Sequence, residues 1–364
     1  MRKLILAVTL GGLILMGAQN ASAEEESSLP TVDVQEVSGL LDEIQAQAME
    51  DAIERSSGEG SQALVFQMNT RGSVLSRERV AVLLERVAAA KVPVAIWVGP
   101  SGSRLYGLAA QLLAAADVTA MAPGTRIGNM GTPLNAEGVT FDFGKSTEIL
   151  QGNTMGFADA RKTGALKFSG SDEGVPVMKN MIFALDGLSI NGKVLDTVTE
   201  KVGADGQIER EATSVRFFKL GLVPRLFHTV SSPPVTYLFL TIGLALLIFE
   251  FFTAGIGIAG LVGAVCSVFG SFGLGVLPVN GFALAAILFA MLAFSVDVQV
   301  GVPRFWTGVG LASFSAGSLF LFRDIDSMNL RPSWITLLVG IGGLALTFIV
   351  GMPSMVRTRF ATPT

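Results

Sequence analysis

The sequence PVTYLFLTIGLALLIFEFF at residues 234–252 belongs to a series of apolar stretches that occupies the last third of a 364-residue chain. The stretches cover residues 238–252, 256–275, 282–296, 305–322 and 335–350. Each approaches the roughly 20 apolar residues with which a helix crosses a bilayer. The pattern predicts a membrane domain of about five helices at residues 233–353, followed by a cytoplasmic tail at residues 354–364.

The composition supports a division of the chain into a water-soluble part and a membrane part. Hydrophobic residues make up 50% of the chain and charged residues 15%, which is too apolar for a soluble protein and too charged for a purely membrane one. The net charge of −4 gives no sign of the basic surface that nucleic acid requires, so we expect no nucleic-acid partner. The single cysteine, Cys266, excludes an intrachain disulfide.

Residues 1–23 have the features of an export signal. Two basic residues precede an apolar run at residues 4–16, and Ala21 and Ala23 mark a small-residue cleavage site. A retained membrane anchor is the alternative. Export predicts that residues 24–232 lie outside a bacterial cell membrane. Five crossings would then place the C-terminal tail and its two arginines in the cytoplasm, which positive charges favour.

Residues 24–232 alternate predicted strands with predicted helices. Apolar runs and alternation predict strands at residues 31–37, 63–68, 92–98 and 118–121. Helical spacing predicts helices at residues 40–53, 80–90, 105–116 and 157–164. Residues 129–153 have loop composition, and we expect strands and turns at residues 173–206. Such alternation predicts a parallel sheet covered on both faces.

Short motifs follow the predicted strands. NTRGS at residues 69–73 follows the second strand, GPSGSR at 99–104 the third, and AMAPGTRIG at 120–128 the fourth. With ALDG, VLDT and FEFFTAGIG further along, at residues 184–187, 194–197 and 249–257, they resemble the NfeD family of bacterial membrane proteins. The resemblance extends from about residue 31 to about residue 350. It implies an α/β Clp protease/crotonase-like domain followed by an all-α multi-pass membrane domain.

The resemblance also implies where a catalytic site would lie. Family members with protease activity use a serine nucleophile and a lysine base. The serine position falls on Gly107, which has no side chain with which to attack a carbonyl. In the turn that would stabilise an oxyanion, Gly72 remains, while Arg71 and Ser73 replace a proline and a glycine. Lys145 is the one lysine in the segment that supplies the family's base, and this segment looks shortened.

Other residues that could carry catalysis have simpler explanations. Ser101 and Ser103 lie in a loop where serine commonly bonds to nearby backbone. His228 lies some 120 residues from that loop, whereas a Ser-His-Asp triad would need it in the cleft. We therefore expect a loss of the Ser-Lys pair and interpret His228 as an interfacial residue.

The membrane stretches contain two further features of note. GIGIAG at residues 255–260 matches a dinucleotide-binding pattern, but it lacks the preceding soluble strand and the later acidic residue that this function needs. We therefore expect no cofactor, and no residue cluster suggests a metal. Glu250 and Asp297 occupy equivalent positions in a weak internal repeat, which predicts a duplicated helix hairpin in preference to an ion path.

Two hypotheses for the function follow. In the first, a non-catalytic, membrane-anchored domain acts as a binding or assembly module, and Arg71 and Arg104 flank a cleft suited to a carboxylate or peptide backbone. In the second, the protein is a membrane-bound serine endopeptidase with an unrecognised nucleophile. A transporter fits less well, because buried charges are few.

The sequence also gives expectations about partners. We expect the lipid bilayer as a partner and leave open a homo-oligomer and contacts with other membrane proteins. Many family members carry a C-terminal OB domain that is associated with stomatin-like partners. About a dozen residues follow the last apolar stretch here, so we do not expect a stomatin-like partner.

Overall fold

The computed structural model describes residues 31–167, 174–202, 207–253, 257–300, 302–325 and 328–355. The predicted export signal and the arginines of the C-terminal tail lie outside these residues. Within them, an α/β domain precedes a helical domain. The predicted fold class is confirmed at this level.

The α/β domain contains a large, mostly parallel sheet with helices on its faces. The strands of this sheet are β1 Thr31–Leu41, β2 Ala63–Ser73, β3 Val94–Val98, β4 Arg104–Tyr106, β5 Val118–Met121, β6 Arg126–Gly128, β7 Thr154–Gly156 and β12 Ser214–Phe218. Two separate hairpins pair β8 Ser189–Ile190 with β9 Lys193–Val194 and β10 Val198–Val202 with β11 Ile208–Ala212. Its helices are α1 Glu43–Gly58, α2 Arg77–Ala88, α3 Leu112–Ala115, α4 Thr147–Gly152, α5 Phe157–Lys162, α6 Met178–Leu185 and α7 Leu222–Val230.

The sheet divides along β2. The first part of β2 pairs with β3, which continues to β5, whereas Thr70 near its end pairs with Leu105 of β4. The strand β4 continues to β6, and β6 pairs with β7 in antiparallel fashion. On the other side, β1 lies between β2 and β12. This division brings the ends of β2 and β4 together at one edge of the sheet.

One expectation about local structure was wrong and another was incomplete. Residues 105–116 were expected to form one helix, but they contain the end of β4, a 3-10 turn at Gly107–Gln111 and the short helix α3. Residues 173–206 were expected to hold strands and turns, and their described part does hold β8, β9 and β10, but it also includes α6. This helix buries Met181, Ile182 and Leu185 against the second face of the sheet. Leu185 follows Ile182 by three residues and Met181 by four, which is the spacing of one helical face.

The helical domain consists of a series of packed apolar helices. They are α8 Pro233–Thr253, α9 Ile258–Val276, α10 Gly281–Val300, α11 Phe305–Leu319 and α12 Trp334–Leu346. In the described part of the chain, four helices are long and apolar enough to cross a membrane: α8, α9, α10 and the last helix, taken as Trp334–Met355. Five spans were expected, but the fourth in chain order, α11, has 15 residues and is shorter than the others.

The helical domain contains the predicted duplicated hairpin. The Glu250 carboxylate accepts hydrogen bonds from the N–H groups of Gly257 and Gly260 at 2.9 and 3.2 Å. Exactly 47 positions later in each case, the Asp297 carboxylate accepts them from the N–H groups of Arg304 and Thr307, both at 2.7 Å. Each acidic side chain therefore satisfies free N–H groups at the start of the next helix. This role is structural, as predicted.

The close approach of the helices in each hairpin depends on glycine. A Cβ added to Gly270 of α9 would lie 2.8 Å from the Leu240 nitrogen of α8. A Cβ added to Gly317 of α11 would lie 2.7 Å from the Ala283 oxygen of α10. Small residues at such crossings allow the backbones of membrane helices to pack together. The end of α11 lies against the start of α10, as the contact of Gly317 with Ala283 shows. The chain therefore returns along α11 to the side of the membrane domain where α10 begins.

Candidate functional site

The two halves of the predicted catalytic site meet at the end of the sheet. Thr70 of β2 lies beside Leu105 of β4 in parallel register. Gly72 lies two residues after Thr70, still within β2, and Gly107 lies two residues after Leu105, directly after β4. A Cβ built on Gly107 would lie 3.5 Å from the Gly72 Cα. The structure therefore places the predicted nucleophile position directly beside the predicted oxyanion turn.

The backbone at both positions has positive φ. Gly107, which begins the 3-10 turn, has a φ of +64°, and Gly72 has a φ of +152°. Residues with side chains rarely adopt these conformations, whereas glycine does so with little steric cost. The local backbone thus matches the glycine in the sequence, and a serine at position 107 would be strained in this conformation.

A cavity of about 270 Å³ opens beside the two glycines. The α/β domain contributes Arg71, Gly72, Ser73, Tyr106, Gly107, Leu108 and Asn129 to its walls, and the connection between α11 and α12 contributes Ile325, Met328 and Asn329. A Cβ on Gly72 would overlap the Met328 sulfur. The membrane domain therefore places a side chain over the turn that the family resemblance assigns to oxyanion binding.

Backbone hydrogen bonds join Met328 to Ile325 in the connection between α11 and α12. The N–H of Ile325 donates to the carbonyl of Met328 at 3.1 Å, and the N–H of Met328 donates back to Ile325 at 2.8 Å. Leu330 and Phe322, on either side, belong to the buried core of the membrane domain. The segment over the cleft is consequently attached to the packed helices.

The serines and the lysine of the predicted site lie in different environments. The Ser73 hydroxyl donates to the Leu41 carbonyl at 3.1 Å and accepts from the Leu75 N–H at 3.1 Å. Ser101 is exposed and Ser103 is buried. Lys145 is exposed on a 3-10 turn. Among the described residues, none of these last three lines the cavity, so a role for Lys145 as a base stays a prediction that the cavity does not support.

The two predicted binding arginines also differ. Arg71 is exposed and lines the cavity. Arg104 does not line it, and its Nη1 donates to the carbonyl oxygens of Gly102, Ser103 and Gly124 at 2.8–3.1 Å. The Arg104 guanidinium therefore holds its own loop, and of the two only Arg71 faces the cleft.

His228 lies outside the cleft and joins α7 to the end of β1 and the start of α1. Its Nδ1 is 2.8 Å from an Asp42 oxygen, and its Nε2 is 2.9 Å from the Ser38 carbonyl oxygen. Burial would lower the pKa of His228, but the hydrogen bond and charge of Asp42, together with the Ser38 carbonyl, outweigh burial and raise the pKa above 6.5. The serine contact is made by the main chain, so this group does not form a Ser-His-Asp triad.

Sequence reasoning missed several residues of the cavity. Tyr106 and Asn129 supply polar groups and lie directly beside recognised motifs, at positions 99–104 and 120–128. A closer inspection of those motifs could have found them. Met328 and Asn329 lie more than 200 residues after Gly107 in the sequence. No local pattern indicates that they reach the cleft.

Comparison with known proteins defines the membrane domain and the class of protein. Residues 234–352 match the family model of the NfeD integral membrane domain. Over 324 residues, the chain is 23% identical to the membrane-bound protease PH1510 of Pyrococcus horikoshii, with 83% of this chain and 72% of that protein covered. Residues 234–352 are thus an NfeD-type integral membrane domain, and the chain is similar over most of its length to a membrane-bound protease.

Two solved structures are also similar to the α/β domain. One is the 1510-N membrane protease specific for a stomatin homolog from Pyrococcus horikoshii, at 16% identity and a TM-score of 0.41, covering 56% of this chain and 98% of that one. The other is an enoyl-CoA hydratase/isomerase family protein from Silicibacter pomeroyi, at 17% identity and a TM-score of 0.29, covering 37% of this chain and 71% of that one. The alignment of Gly107 with a catalytic serine stays a prediction from sequence.

Proposed function

We propose that this protein is a membrane-anchored, protease-like module that binds a polypeptide at its cleft without cleaving it. The observation that carries the proposal is Gly107, which has no nucleophile and whose φ of +64° disfavours any side chain. The Met328 side chain gives further support, because it lies against Gly72 in the turn that the family resemblance assigns to oxyanion binding.

The size and polarity of the cavity restrict the ligand. A volume of about 270 Å³ lies below the usual range for a drug-sized ligand, so it holds one side chain or a chain end. Arg71 supplies a cation, and Tyr106 and Asn129 supply hydrogen-bonding groups. An acidic side chain or a C-terminal carboxylate matches this set, because a guanidinium donates paired hydrogen bonds to a carboxylate.

We further propose that the α/β domain lies outside a bacterial cell membrane and that the C-terminus lies inside. Support comes from contacts on the side of the α/β domain. Phe272, near the end of α9, packs against Phe227 of α7, and Met328, between α11 and α12, reaches Gly72. If α11 also crosses the bilayer, these contacts are those expected of a chain that leaves the side of the α/β domain and returns to it twice before α12 leaves a third time. Reporter fusions after Gly206 and after Thr364 test this, and activity of both on one side would contradict it.

The absence of catalysis can be tested with full-length protein in detergent. We expect no covalent labelling by a fluorophosphonate probe, because Gly107 offers no hydroxyl to react with it. Ser101→Ala and Ser103→Ala provide the matched variants. Labelling of the parent protein that either variant abolishes would establish an active serine and support the endopeptidase hypothesis.

Binding can be tested with synthetic peptides that end in a free carboxylate or in an amide. We expect the carboxylate form to bind more tightly, and Arg71→Ala to weaken its binding by about 1–3 kcal/mol through loss of a charged hydrogen-bonding partner. Arg86→Ala, which removes an exposed arginine from α2, is the control. Equal binding of both peptides, or an equal effect of both substitutions, would exclude Arg71 as the recognition residue.

A further inference from the structure

A second cavity, separate from the one at Gly107, lies where the α/β domain meets the membrane domain. Its volume is about 630 Å³, within the range of pockets that hold small molecules. One wall is α1, and the opposite wall is formed by the connection from β12 to α7. Phe272 of the membrane helix α9 also lines the cavity. The cavity thus connects the surface of the α/β domain with the membrane.

The α1 wall is a single stripe of the helix. Ile44, Ala48, Asp51 and Arg55 line the cavity at spacings of three or four residues, which places them on one face. The opposite face packs into the domain core through residues such as Met49 and Ala52. The stripe extends from Ile44 to Arg55, about 16 Å along the helix, and ends at a positive charge.

Among the described residues, no carboxylate forms an ion pair with the Arg55 guanidinium. Its Nε and Nη2 atoms are buried and have no hydrogen-bond partner within the described part of the chain. Its Cζ lies 3.8 Å from the centroid of the Phe218 ring, so stacking fixes its position. Buried polar groups nearly always have partners, and an unpaired buried charge is costly. An anionic ligand would supply the missing partner.

The other charged groups of the cavity are engaged. Glu43 forms an ion pair with Arg79 at 2.7 Å, and Asp51 accepts a hydrogen bond from the Gln47 amide at 2.8 Å. Lys219 pairs with Glu36 at 2.9 Å, and its side chain remains 69% exposed. Among these groups, Arg55 is the cation with unsatisfied donors.

The surroundings of the cavity are those of a bilayer surface. The Phe227 ring of α7 lies 4.7 Å, between centroids, from the ring of Phe272. On the same short helix, Leu222 is 86% and Val223 60% exposed. The helix ends three residues before α8 begins at Pro233. A helix with exposed apolar residues directly before a span is suited to the headgroup region.

We propose that this cavity binds an anionic phospholipid of the bilayer. One acyl chain lies along Phe227 and Phe272, and the phosphate accepts hydrogen bonds from Arg55. The lipid enters at Phe272, where the cavity meets the membrane helix. This site is independent of the proposed function of the Gly107 cleft, because it shares none of the residues that line that cleft.

The test uses full-length protein reconstituted into vesicles of equal parts phosphatidylglycerol and phosphatidylcholine, followed by native mass spectrometry after mild detergent extraction. We expect retention of phosphatidylglycerol over phosphatidylcholine, and a loss of about tenfold in Arg55→Gln, as removal of a charged hydrogen bond implies. Arg86→Gln is the control, and Arg55→Lys should restore part of the retention. Ala48→Trp, which fills the cavity while keeping the charge, should also abolish it.

Circular dichroism of each variant checks that the fold is retained. Equal retention of the two lipids by the parent protein would overturn the proposal. So would unchanged phosphatidylglycerol retention in both Arg55→Gln and Ala48→Trp.

Discussion

The duplicated hairpin allows one prediction to be tested against an internal control. Asp297 is buried, and one of its oxygens accepts three hydrogen bonds, from the Arg304 N–H, the Thr307 N–H and the Thr307 hydroxyl, at 2.7–2.8 Å. Glu250 performs the equivalent task at a half-buried position with two hydrogen bonds, one of them 3.2 Å long. Truncation of the first should therefore cost more than truncation of the second.

The magnitudes follow from the hydrogen bonds that are lost. Asp297→Ala leaves two N–H groups at the start of α11 without their acceptor, of which the Thr307 N–H is buried, and we expect a loss of about 3 kcal/mol in the free energy of unfolding. Water can replace part of the Glu250 interaction, so Glu250→Ala should lose about 1 kcal/mol. Asp297→Asn keeps an acceptor oxygen and should retain most of the stability, since asparagine also caps helices.

Unfolding of the full-length protein by SDS in mixed micelles, followed by circular dichroism, measures these differences. Reactivity of the single cysteine, Cys266 in α9, gives a second probe of the same transition. An Asp297→Ala variant no less stable than Glu250→Ala would refute the capping role. A large loss in Asp297→Asn would show that the charge itself is required.

Three further predictions rest on individual contacts. Asp33→Ala should reduce the stability of the α/β domain by about 1–3 kcal/mol in urea titrations, because it takes the acceptor from the buried Ser56 hydroxyl and removes one of the two carboxylates that pair with the half-buried Arg216; an unchanged stability would contradict this. The arginine and two serines hold the pKa of Asp33 below 3.8 despite the opposing effect of burial, so its contribution is present above that pH and is lost as the pH falls through the lowered pKa. The raised pKa of His228 means that its bond to Asp42 stabilises α7 below about pH 6.5 and weakens as the pH rises through the folded pKa. Hydrogen exchange of the α7 amides, corrected for intrinsic rates, should therefore accelerate at alkaline pH. A corrected rate that does not change with pH would count against the pairing. Gly317→Val should destabilise the second hairpin by about 1–3 kcal/mol in SDS unfolding. The control Gly308→Val, at a position with open space around it, should change the stability little. An equal loss of stability in the two variants would argue against close contact between α10 and α11.

Much of the fold could be predicted because its signals are local. Apolar runs indicate β2, β3 and β5 in their observed places, and the acidic residues of the repeat indicate the two hairpins. The prediction of one helix over residues 105–116 was wrong. The alanine content of this segment suggested a helix, whereas a 3-10 turn begins at Gly107, which has a positive φ. The length of α11 was overestimated because apolar composition continues to Phe322, whereas the helix ends at Leu319.

The candidate site was predictable to a smaller extent. The pairing of Gly72 with Gly107 follows from motifs at the ends of neighbouring strands, and the resemblance to a known family pointed to both. Whether a side chain faces a cleft depends on rotamers and loops, so the different environments of Arg71 and Arg104 could not be foreseen. The approach of Met328 depends on the packing of two domains, and no sequence spacing encodes it.

The central claim is that the cleft binds polypeptide without hydrolysing it. The most direct measurement is mass spectrometry of an unstructured protein after long incubation with the full-length protein in nanodiscs. Our account predicts that the substrate keeps its intact mass, and that Ser103→Ala behaves as the parent protein does. New peptide termini that accumulate with time, and that disappear in Ser103→Ala, would contradict it.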